Sequence, residues 1–294
     1  MTPIAAALRE STGRAVASHR RVGGGCINDG WQVEFEDGGR AFVKTRQDVA
    51  PDEYSTEAAG LRWLAEPAAL RLPEVIVVRD GDDEPRLLAL EWIEEGSLGA
   101  EGAEELGRGL AALHAAGADA FGQLPPEAPA PRLRIGPIAL ESRPHHDWPT
   151  FYADCFLRPL ARMAAERDAL GRTGIDAVER VCERIGDLAG PPEPPARLHG
   201  DLWGGNVMAG ADGRPWLIDP AAYGGHREVD LAMLRLFGAP SARVFAAYEE
   251  AAPLADGHAD RVELWQLLPL LVHAVLFGGH YGASAERTAR RYAG

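Results

Sequence analysis

The sequence predicts an α+β protein with two lobes, a small lobe built on an antiparallel sheet and a larger, mainly helical lobe. Before residue 96, short runs rich in β-branched and aromatic residues are separated by turns that contain Gly and Asp. After it, apolar residues recur at helical spacing. Two short apolar runs, 207–209 and 216–218, flank the turn Asp212-Gly213 and predict one hairpin within the helical part. We therefore expect the lobes to comprise residues 1–95 and 96–294.

The small lobe is predicted to contain two helices and five strands. Each predicted strand is a short apolar run bounded by turn-forming residues. In chain order, we predict a helix at 4–10, strands at 15–22, 31–35 and 40–45, a helix at 52–64, and strands at 73–79 and 86–92.

Three consecutive glycines lie between the first two predicted strands: Gly23, Gly24 and Gly25. Backbone without side chains can approach phosphate groups and present N–H groups to them, although a plain flexible hairpin has the same composition. The third strand carries Lys44 within an apolar run, and the following helix offers Glu57 as the carboxylate that would hold this lysine. Glu53, one helical turn earlier, is the alternative partner.

In the larger lobe, apolar periodicity predicts helices at 103–116, 147–163, 176–188, 231–237 and 264–281. The last of these is apolar nearly all round, so we expect it to be buried. The Pro-rich stretch 121–143 is predicted to be the least regular part of the chain. Asp230 is expected to cap a helix or to buttress the neighbouring loop rather than to take part in chemistry.

The segment 198–220 contains the candidate catalytic and metal-binding residues. Asp201 is followed five residues later by Asn206, and Asp219 comes directly after the second strand of the predicted hairpin. The hairpin brings Asn206 and Asp219 to neighbouring loop ends, and Asp201 faces them from the preceding loop. Two oxygen ligands and a carboxylate at one point suit Mg²⁺-assisted phosphoryl transfer, in which the metal holds phosphates and the third residue orients a hydroxyl.

This spacing resembles the catalytic and metal-binding loops of protein-kinase-like enzymes. The longer sequence motif is more specific. It consists of His-Gly-Asp-Leu-Trp-Gly-Gly-Asn at 199–206, Ile-Asp-Pro-Ala-Ala-Tyr-Gly-Gly-His-Arg-Glu-Val-Asp-Leu-Ala-Met at 218–233 and Leu-Phe-Gly at 236–238. It resembles the fructosamine kinase (ketosamine-3-kinase) family, which is related to the aminoglycoside phosphotransferases. The resemblance extends along the whole chain and is thinnest at 120–146.

The resemblance implies that ATP lies between the lobes of a kinase-like fold. Mg²⁺ would be held by Asn206 and Asp219, and Lys44 would neutralise the phosphates. The connection between the lobes, with Glu91 and Ile93, would bind adenine through its backbone. Asp201 would accept or orient the proton of the acceptor hydroxyl.

The resemblance also implies the acceptor, a fructosamine or ribulosamine phosphorylated on its 3-hydroxyl, free or linked to a protein, with deglycation as the biological role. Trp203 is the candidate to stack on the sugar or on its amine-linked end, with a packing role as the alternative. Two rival functions are a kinase of the same fold that acts on an aminoglycoside, choline or a sugar, and a catalytically inactive binding protein. Retention of Lys44, Asp201, Asn206 and Asp219 together argues against the inactive protein.

Composition narrows the partners and the compartment. The net charge is −14, and neither a basic stripe nor an apolar run of membrane-spanning length is present, so we expect no nucleic-acid or membrane partner. The first residues lack a signal-peptide pattern, and three widely spaced cysteines form neither a disulfide framework nor a metal site, which favours the cytoplasm. Cys26, beside the glycines, is a candidate oxidisable thiol, with a small, inert packing residue as the alternative, so the protein is expected to be a monomer or a redox-sensitive dimer.

Overall fold

The computed structural model describes residues 2–23, 28–82, 84–239 and 241–294. The predicted α+β architecture of two lobes is confirmed: a five-stranded antiparallel sheet lies in the first third of the chain, and helices dominate the rest.

The small lobe contains the predicted two helices and five strands, each end differing from prediction by no more than two residues. The sheet has the order β1-β2-β3-β5-β4, and all neighbours pair antiparallel. The elements are α1 (Pro3–Thr12), β1 (Val16–Val22), β2 (Asp29–Phe35), β3 (Arg40–Thr45), α2 (Glu53–Ala65), β4 (Val75–Arg79) and β5 (Leu87–Glu91).

Strand β3 explains how the small lobe presents its lysine. Side chains alternate between the two faces of a strand. Ala41 and Val43 therefore pack on one face with apolar residues of α1. Phe42 packs on the opposite face, against residues of α2. Lys44 shares that second face, so the same alternation that buries the core directs its ammonium group towards α2.

The larger lobe consists of helices around two-stranded sheets. These sheets pair β6 with β7, β8 with β11, and β9 with β10, all antiparallel. The elements are α3 (Ala100–Ala115), β6 (Arg132–Ile135), β7 (Ile138–Glu141), α4 (Trp148–Phe151), a π-helical segment (Tyr152–Leu157), α5 (Arg158–Glu166), α6 (Arg172–Leu188), β8 (Ala196–Leu198), β9 (Val207–Ala209), β10 (Pro215–Leu217), β11 (Tyr223–Gly225), α7 (Glu228–Leu236), α8 (Ala242–Ala251), α9 (His258–Trp265), α10 (Leu267–Phe277) and α11 (His280–Tyr292). No helix of the described ranges combines the length and the apolar character needed to cross a membrane.

The stretch 121–143 is more regular than predicted, because it contains the hairpin of β6 and β7. Its strands bury alternate residues, Leu133 and Ile135 on one and Ile138 and Leu140 on the other, in the core of the larger lobe. Four residues per strand are too few for the alternation to stand out among the surrounding prolines. The prediction of an irregular loop there was wrong.

The long helix predicted at 264–281 is broken. Its last part belongs to α11, and Gly278 and Gly279 separate that helix from α10 with φ angles of +62° and +60°. Only glycine adopts this backbone conformation freely, so the glycine pair forces the chain to change direction. The burial prediction holds for α10, where Leu267, Leu271 and Ala274 are fully buried.

Candidate active site

The loop between β8 and β9 is held in place by hydrogen bonds to Asp230. The backbone N–H groups of His199 and Gly200 donate to its two carboxylate oxygens at 2.8 and 2.9 Å. Gly200 has a φ of +81°, and a Cβ there would lie 2.0 Å from the carbonyl oxygen of Ala221, so only glycine fits. Asp230 is the third residue of α7 rather than its cap, which leaves it the buttressing role.

His114 holds Asp230 in turn, and the sequence did not reveal this contact. Its Nε2 lies 3.2 Å from the Asp230 carboxylate, and its Nδ1 lies 2.8 Å from the hydroxyl of Tyr248. Burial alone would raise the pKa of Asp230, but the hydrogen bond and charge of His114 help keep that pKa below its usual value. The buttress is therefore a carboxylate that stays ionised and keeps its backbone partners.

Asp201 and Asn206 are joined by hydrogen bonds within the same loop. The amide nitrogen of Asn206 donates to the backbone carbonyl of Asp201 at 2.8 Å and to its carboxylate at 3.1 Å. With the nitrogen so engaged, the amide oxygen of Asn206 is the atom left for a cation. Burial, reinforced by the charge of Asp219, raises the pKa of Asp201 to about 7. A carboxylate of this pKa is suited to accept a proton near neutral pH.

Lys44 lies between two carboxylates. Its Nζ is 2.7 Å from Glu57 and also forms an ion pair with Asp219. Burial would lower the pKa of Lys44, but Asp219 and Glu57 together raise it above its usual value. Of the two predicted partners, Glu57 makes the contact, whereas Glu53 binds Arg46 at 3.0 Å.

Glu57 and Asp219 are both held in unusual states. Burial raises the pKa of Glu57 to about 7, since the opposing effect of Lys44 is partly offset by the charge of Asp219. Asp219 has a φ of +56°, in the left-handed region that non-glycine residues seldom adopt. This conformation turns the carboxylate that follows β10 towards Lys44, and such local strain is typical of functional sites.

These residues surround a cavity of about 430 Å³ between the lobes. The predicted site residues that line it are Lys44, Glu57, Asp201, Trp203, Asn206 and Asp219. Gly23 is exposed and is not among the lining residues, and Gly24, Gly25 and Cys26 lie outside the described residues. Their phosphate-binding and redox roles stay predictions.

Glu91 and Ile93 are also absent from the described lining of the cavity, so their role in adenine binding stays a prediction. Glu91 ends β5, and its carboxylate accepts a hydrogen bond from the backbone of Glu74 at 3.2 Å. The connection that follows is joined to the hairpin of β9 and β10, because the N–H of Gly96 donates to the carbonyl of Ala209 at 2.8 Å.

A group of aromatic side chains that lines the same cavity, the aromatic wall, was missed by the sequence analysis, apart from Trp203. Trp203 is 37% exposed, and its ring lies edge-on to Phe237, with 6.4 Å between the centroids. The same wall contains His273, Phe277 and Tyr281. His273 and Phe277 lie one helical turn apart on α10, and Tyr281 follows the glycine pair, so the break in the helix places it there.

The donor set fits a magnesium ion. Asn206 and Asp219 offer an amide oxygen and a carboxylate, the hard oxygen ligands that Mg²⁺ prefers, and Mg²⁺ in phosphoryl-transfer sites takes its other ligands from phosphates and water. Among the described residues, no group of three or more His, Cys, Asp and Glu side chains forms a complete protein cage for a metal. A site with few protein ligands is what binding together with a nucleotide requires.

The chain is similar over its whole length to known kinases. A family model described as fructosamine kinase matches residues 1–293. A "Probable ketoamine kinase" of Synechocystis sp. is 33% identical over 293 residues, which cover 98% of this chain and 95% of that protein.

Solved structures agree in fold. The crystal structure of a "putative fructosamine-3-kinase" from Thermobifida fusca is 44% identical and superposes with a TM-score of 0.88, covering 99% of this chain and 98% of that one. An aminoglycoside phosphotransferase solved with ADP and hygromycin B has a TM-score of 0.66 at 17% identity, with 99% and 98% coverage, which shows a shared kinase-like fold alone.

Proposed function

The chain belongs to the fructosamine kinase family, and we propose that it is an ATP-dependent kinase that phosphorylates the 3-hydroxyl group of ketosamines, in which a 1-deoxyketose is joined to an amine. The observation that carries this proposal is the convergence of Lys44, Asp201, Asn206 and Asp219 on one cavity. Together they supply the cation, the metal ligands and the base that phosphoryl transfer requires, and catalysis of this reaction depends mainly on positioning and charge neutralisation.

The nucleotide end of the site is formed by Lys44, Asn206 and Asp219. Lys44 donates to the phosphates, and its contact with Glu57 keeps the ammonium extended into the cavity. Asn206 and Asp219 would hold Mg²⁺, which offsets the charge of the phosphates. Asp219 also forms an ion pair with Lys44, so the two charged groups at this end of the site are held together.

The acceptor end is formed by Asp201. As the 3-hydroxyl oxygen forms its bond to the γ-phosphorus, the bond from that phosphorus to the bridging oxygen breaks, and its electron pair remains on ADP. The hydroxyl proton passes to Asp201, a carboxylate whose pKa is raised chiefly by burial. The hydrogen bonds from Asn206 fix the direction of the carboxylate.

The product explains a role in repair. A phosphate on carbon 3 can be eliminated as inorganic phosphate after enolisation between carbons 1 and 2, and water then hydrolyses the resulting imine, which releases the amine and a dicarbonyl sugar. Phosphorylation would therefore start deglycation of a free or protein-bound amine. Because ATP is the donor, we place this reaction in the cytoplasm.

An acceptor panel tests the proposal. The purified protein is supplied with Mg²⁺ and ATP, and kcat/KM is measured for ribulosamine and fructosamine adducts of lysine, for an aminoglycoside and for choline. We expect the ketosamines to be the best acceptors, because the chain belongs to the fructosamine kinase family and matches ketoamine kinases along its length. A higher kcat/KM for the aminoglycoside or choline would reject the proposed acceptor, and absence of transfer to any of them would reject the kinase.

A further inference from the structure

Arg134 brings a second permanent positive charge to the catalytic cavity. Among the described lining residues, Lys44 and Arg134 are the Lys and Arg side chains. The charge of Lys44 is already matched by Glu57 and Asp219. Arg46, which lies nearby, is bound by both oxygens of Glu53. A nucleotide triphosphate carries several negative charges, so a site for it gains from a second cation that has N–H donors to spare.

Arg134 reaches the cavity from the larger lobe. It lies in β6, where its neighbours Leu133 and Ile135 are buried in the core, so its own side chain leaves the opposite face of the strand. Its guanidinium forms an ion pair with Asp52, at the start of α2 in the small lobe. The side chain thus spans the cleft from one lobe to the other.

The guanidinium is not saturated by this contact. The side chain of Arg134 is only 10% exposed, and its Nε is buried without a hydrogen-bond partner among the described residues. Buried N–H groups of a charged side chain are nearly always paired. An unpaired one on a side chain that lines a cavity is available to donate to an acceptor that a ligand supplies.

We propose that Arg134 binds the terminal phosphoryl group of the nucleotide, an inference that rests on the proposed function. Guanidinium groups prefer the paired oxygens of phosphates, and they repel the ammonium group of a ketosamine. The cavity that Arg134 lines contains Asp201 and Asp219, at the transfer centre, but not Glu91 and Ile93 of the connection between the lobes. Arg134 donates N–H groups to the transferred phosphoryl oxygens and neither gains nor loses a proton.

Nucleotide titration separates this role from a structural one. In the presence of Mg²⁺, dissociation constants are measured calorimetrically for ADP and for the non-hydrolysable imido analogue of ATP. Arg134→Gln is expected to weaken the analogue by about tenfold to a hundredfold, the range for a charge-assisted hydrogen bond, and to leave ADP binding unchanged. Arg134→Lys keeps the charge without the fork and should weaken the analogue less.

Two controls bracket the result. Arg132→Gln changes an exposed arginine two residues away on the same strand, where it binds Glu141, and should leave both dissociation constants unchanged. Asp52→Asn removes the charged partner of Arg134 in the small lobe. It should preserve the preference of the wild-type protein for the analogue over ADP, measured as the ratio of the two dissociation constants. Equal weakening of ADP and the analogue in Arg134→Gln and Arg134→Lys, or loss of the preference in Asp52→Asn, would make Arg134 a structural link between the lobes.

The acceptor provides the remaining discrimination. If the Arg134 variants raise only the KM for the ketosamine and bind both nucleotides normally, Arg134 belongs to the acceptor site and the inference is wrong. Wild-type protein that binds neither nucleotide would overturn the proposed function together with this inference. Wild-type protein that binds both, with variants that bind identically, would overturn the inference alone.

Discussion

In the larger lobe the buried carboxylate of Glu228 is matched by its partners, whereas in the cleft one ammonium group serves several carboxylates. Arg261 of α9 donates to both oxygens of Glu228 at 2.6 and 3.0 Å, and Trp265 adds a third hydrogen bond at 2.8 Å. We call this group the lobe cluster. Each buried charge in it has an opposite charge and directed donors, which is the condition under which a buried ion pair is tolerated.

The cleft cluster, formed by Lys44, Glu57, Asp201 and Asp219, has three carboxylates for one ammonium group. Lys44 contacts two of them, and Asp201 lines the same cavity. Burial raises the pKa of both Glu57 and Asp201 to about 7, with a further contribution from the charge of Asp219. The balanced charges of the lobe cluster stabilise the fold, whereas the excess of carboxylates in the cleft cluster suits the binding of a cation and the uptake of a proton.

Loss of Asp201 should give the largest effect, and on chemistry rather than on the fold. Asp201→Asn keeps the shape but cannot accept the hydroxyl proton, so kcat should fall by about 10²–10⁴ while nucleotide binding stays nearly intact. Steady-state kinetics and nucleotide titration measure the two effects. Asp212→Asn changes an exposed aspartate in the turn between β9 and β10 and is the matched control. Near-normal turnover of Asp201→Asn would remove Asp201 from the mechanism.

The lobe cluster should respond in the opposite way. Glu228→Ala leaves the guanidinium of Arg261 buried without its partner and should lower the free energy of unfolding by about 3–5 kcal/mol. Urea denaturation measures this change. Glu263 lies on α9, as Arg261 does, and is the exposed partner of Arg291. Glu263→Ala should lower the free energy of unfolding by only about 0–1 kcal/mol. Equal losses in the two variants would contradict the distinction between the clusters.

Addition of Mg²⁺ and ATP should stabilise the protein through the cleft cluster. At about 100 times the dissociation constant, a ligand that binds only the folded state adds about 2.7 kcal/mol. Thermal denaturation should therefore show a higher melting temperature with Mg²⁺ and ATP than with ATP and EDTA. Asp219→Asn, which retains a residue tolerant of the left-handed backbone, should lose this difference. A shift that is independent of the metal and of Asp219 would refute their assignment.

The smallest effect concerns Trp203. A cation–π contact with the acceptor amine is worth about 0.5–1 kcal/mol, so Trp203→Ala should raise the KM for the ketosamine about twofold to fivefold. Trp203→Phe keeps an aromatic face and should recover most of the affinity. If the variant instead lowers the melting temperature and leaves the KM unchanged, Trp203 is a packing residue.

The parts of the cleft cluster that sequence could predict are those set by local spacing. Asn206 and Asp219 flank one short hairpin, and Asp201 lies in the loop that leads into it, so their order along the chain already fixes their neighbourhood. Lys44 could be assigned to a face of β3 by simple alternation. Glu57 was preferred to Glu53 as the partner of Lys44, and the contact is indeed with Glu57, but both lie on the same face of α2, so the position of the helix decides between them.

The contacts that sequence did not predict join distant segments. His114 meets Asp230 across 116 residues, and Arg134 meets Asp52 across 82. Neither pair has a local pattern: His114 ends an ordinary amphipathic helix, and Arg134 stands in a four-residue strand between prolines. Such pairings depend on how the lobes and helices pack, which periodicity within one element does not encode.

The central claim, phosphoryl transfer to the 3-hydroxyl of a ketosamine, is tested most directly by NMR. Fructosamine or ribulosamine adducts of lysine labelled with ¹³C in the sugar are incubated with the protein, Mg²⁺ and ATP, and phosphorus–carbon couplings locate the new phosphate. We predict coupling centred on carbon 3, followed by release of unmodified lysine, with neither signal in Asp201→Asn. Phosphate on another carbon, or ATP consumed while the ketosamine stays unchanged, would contradict the account.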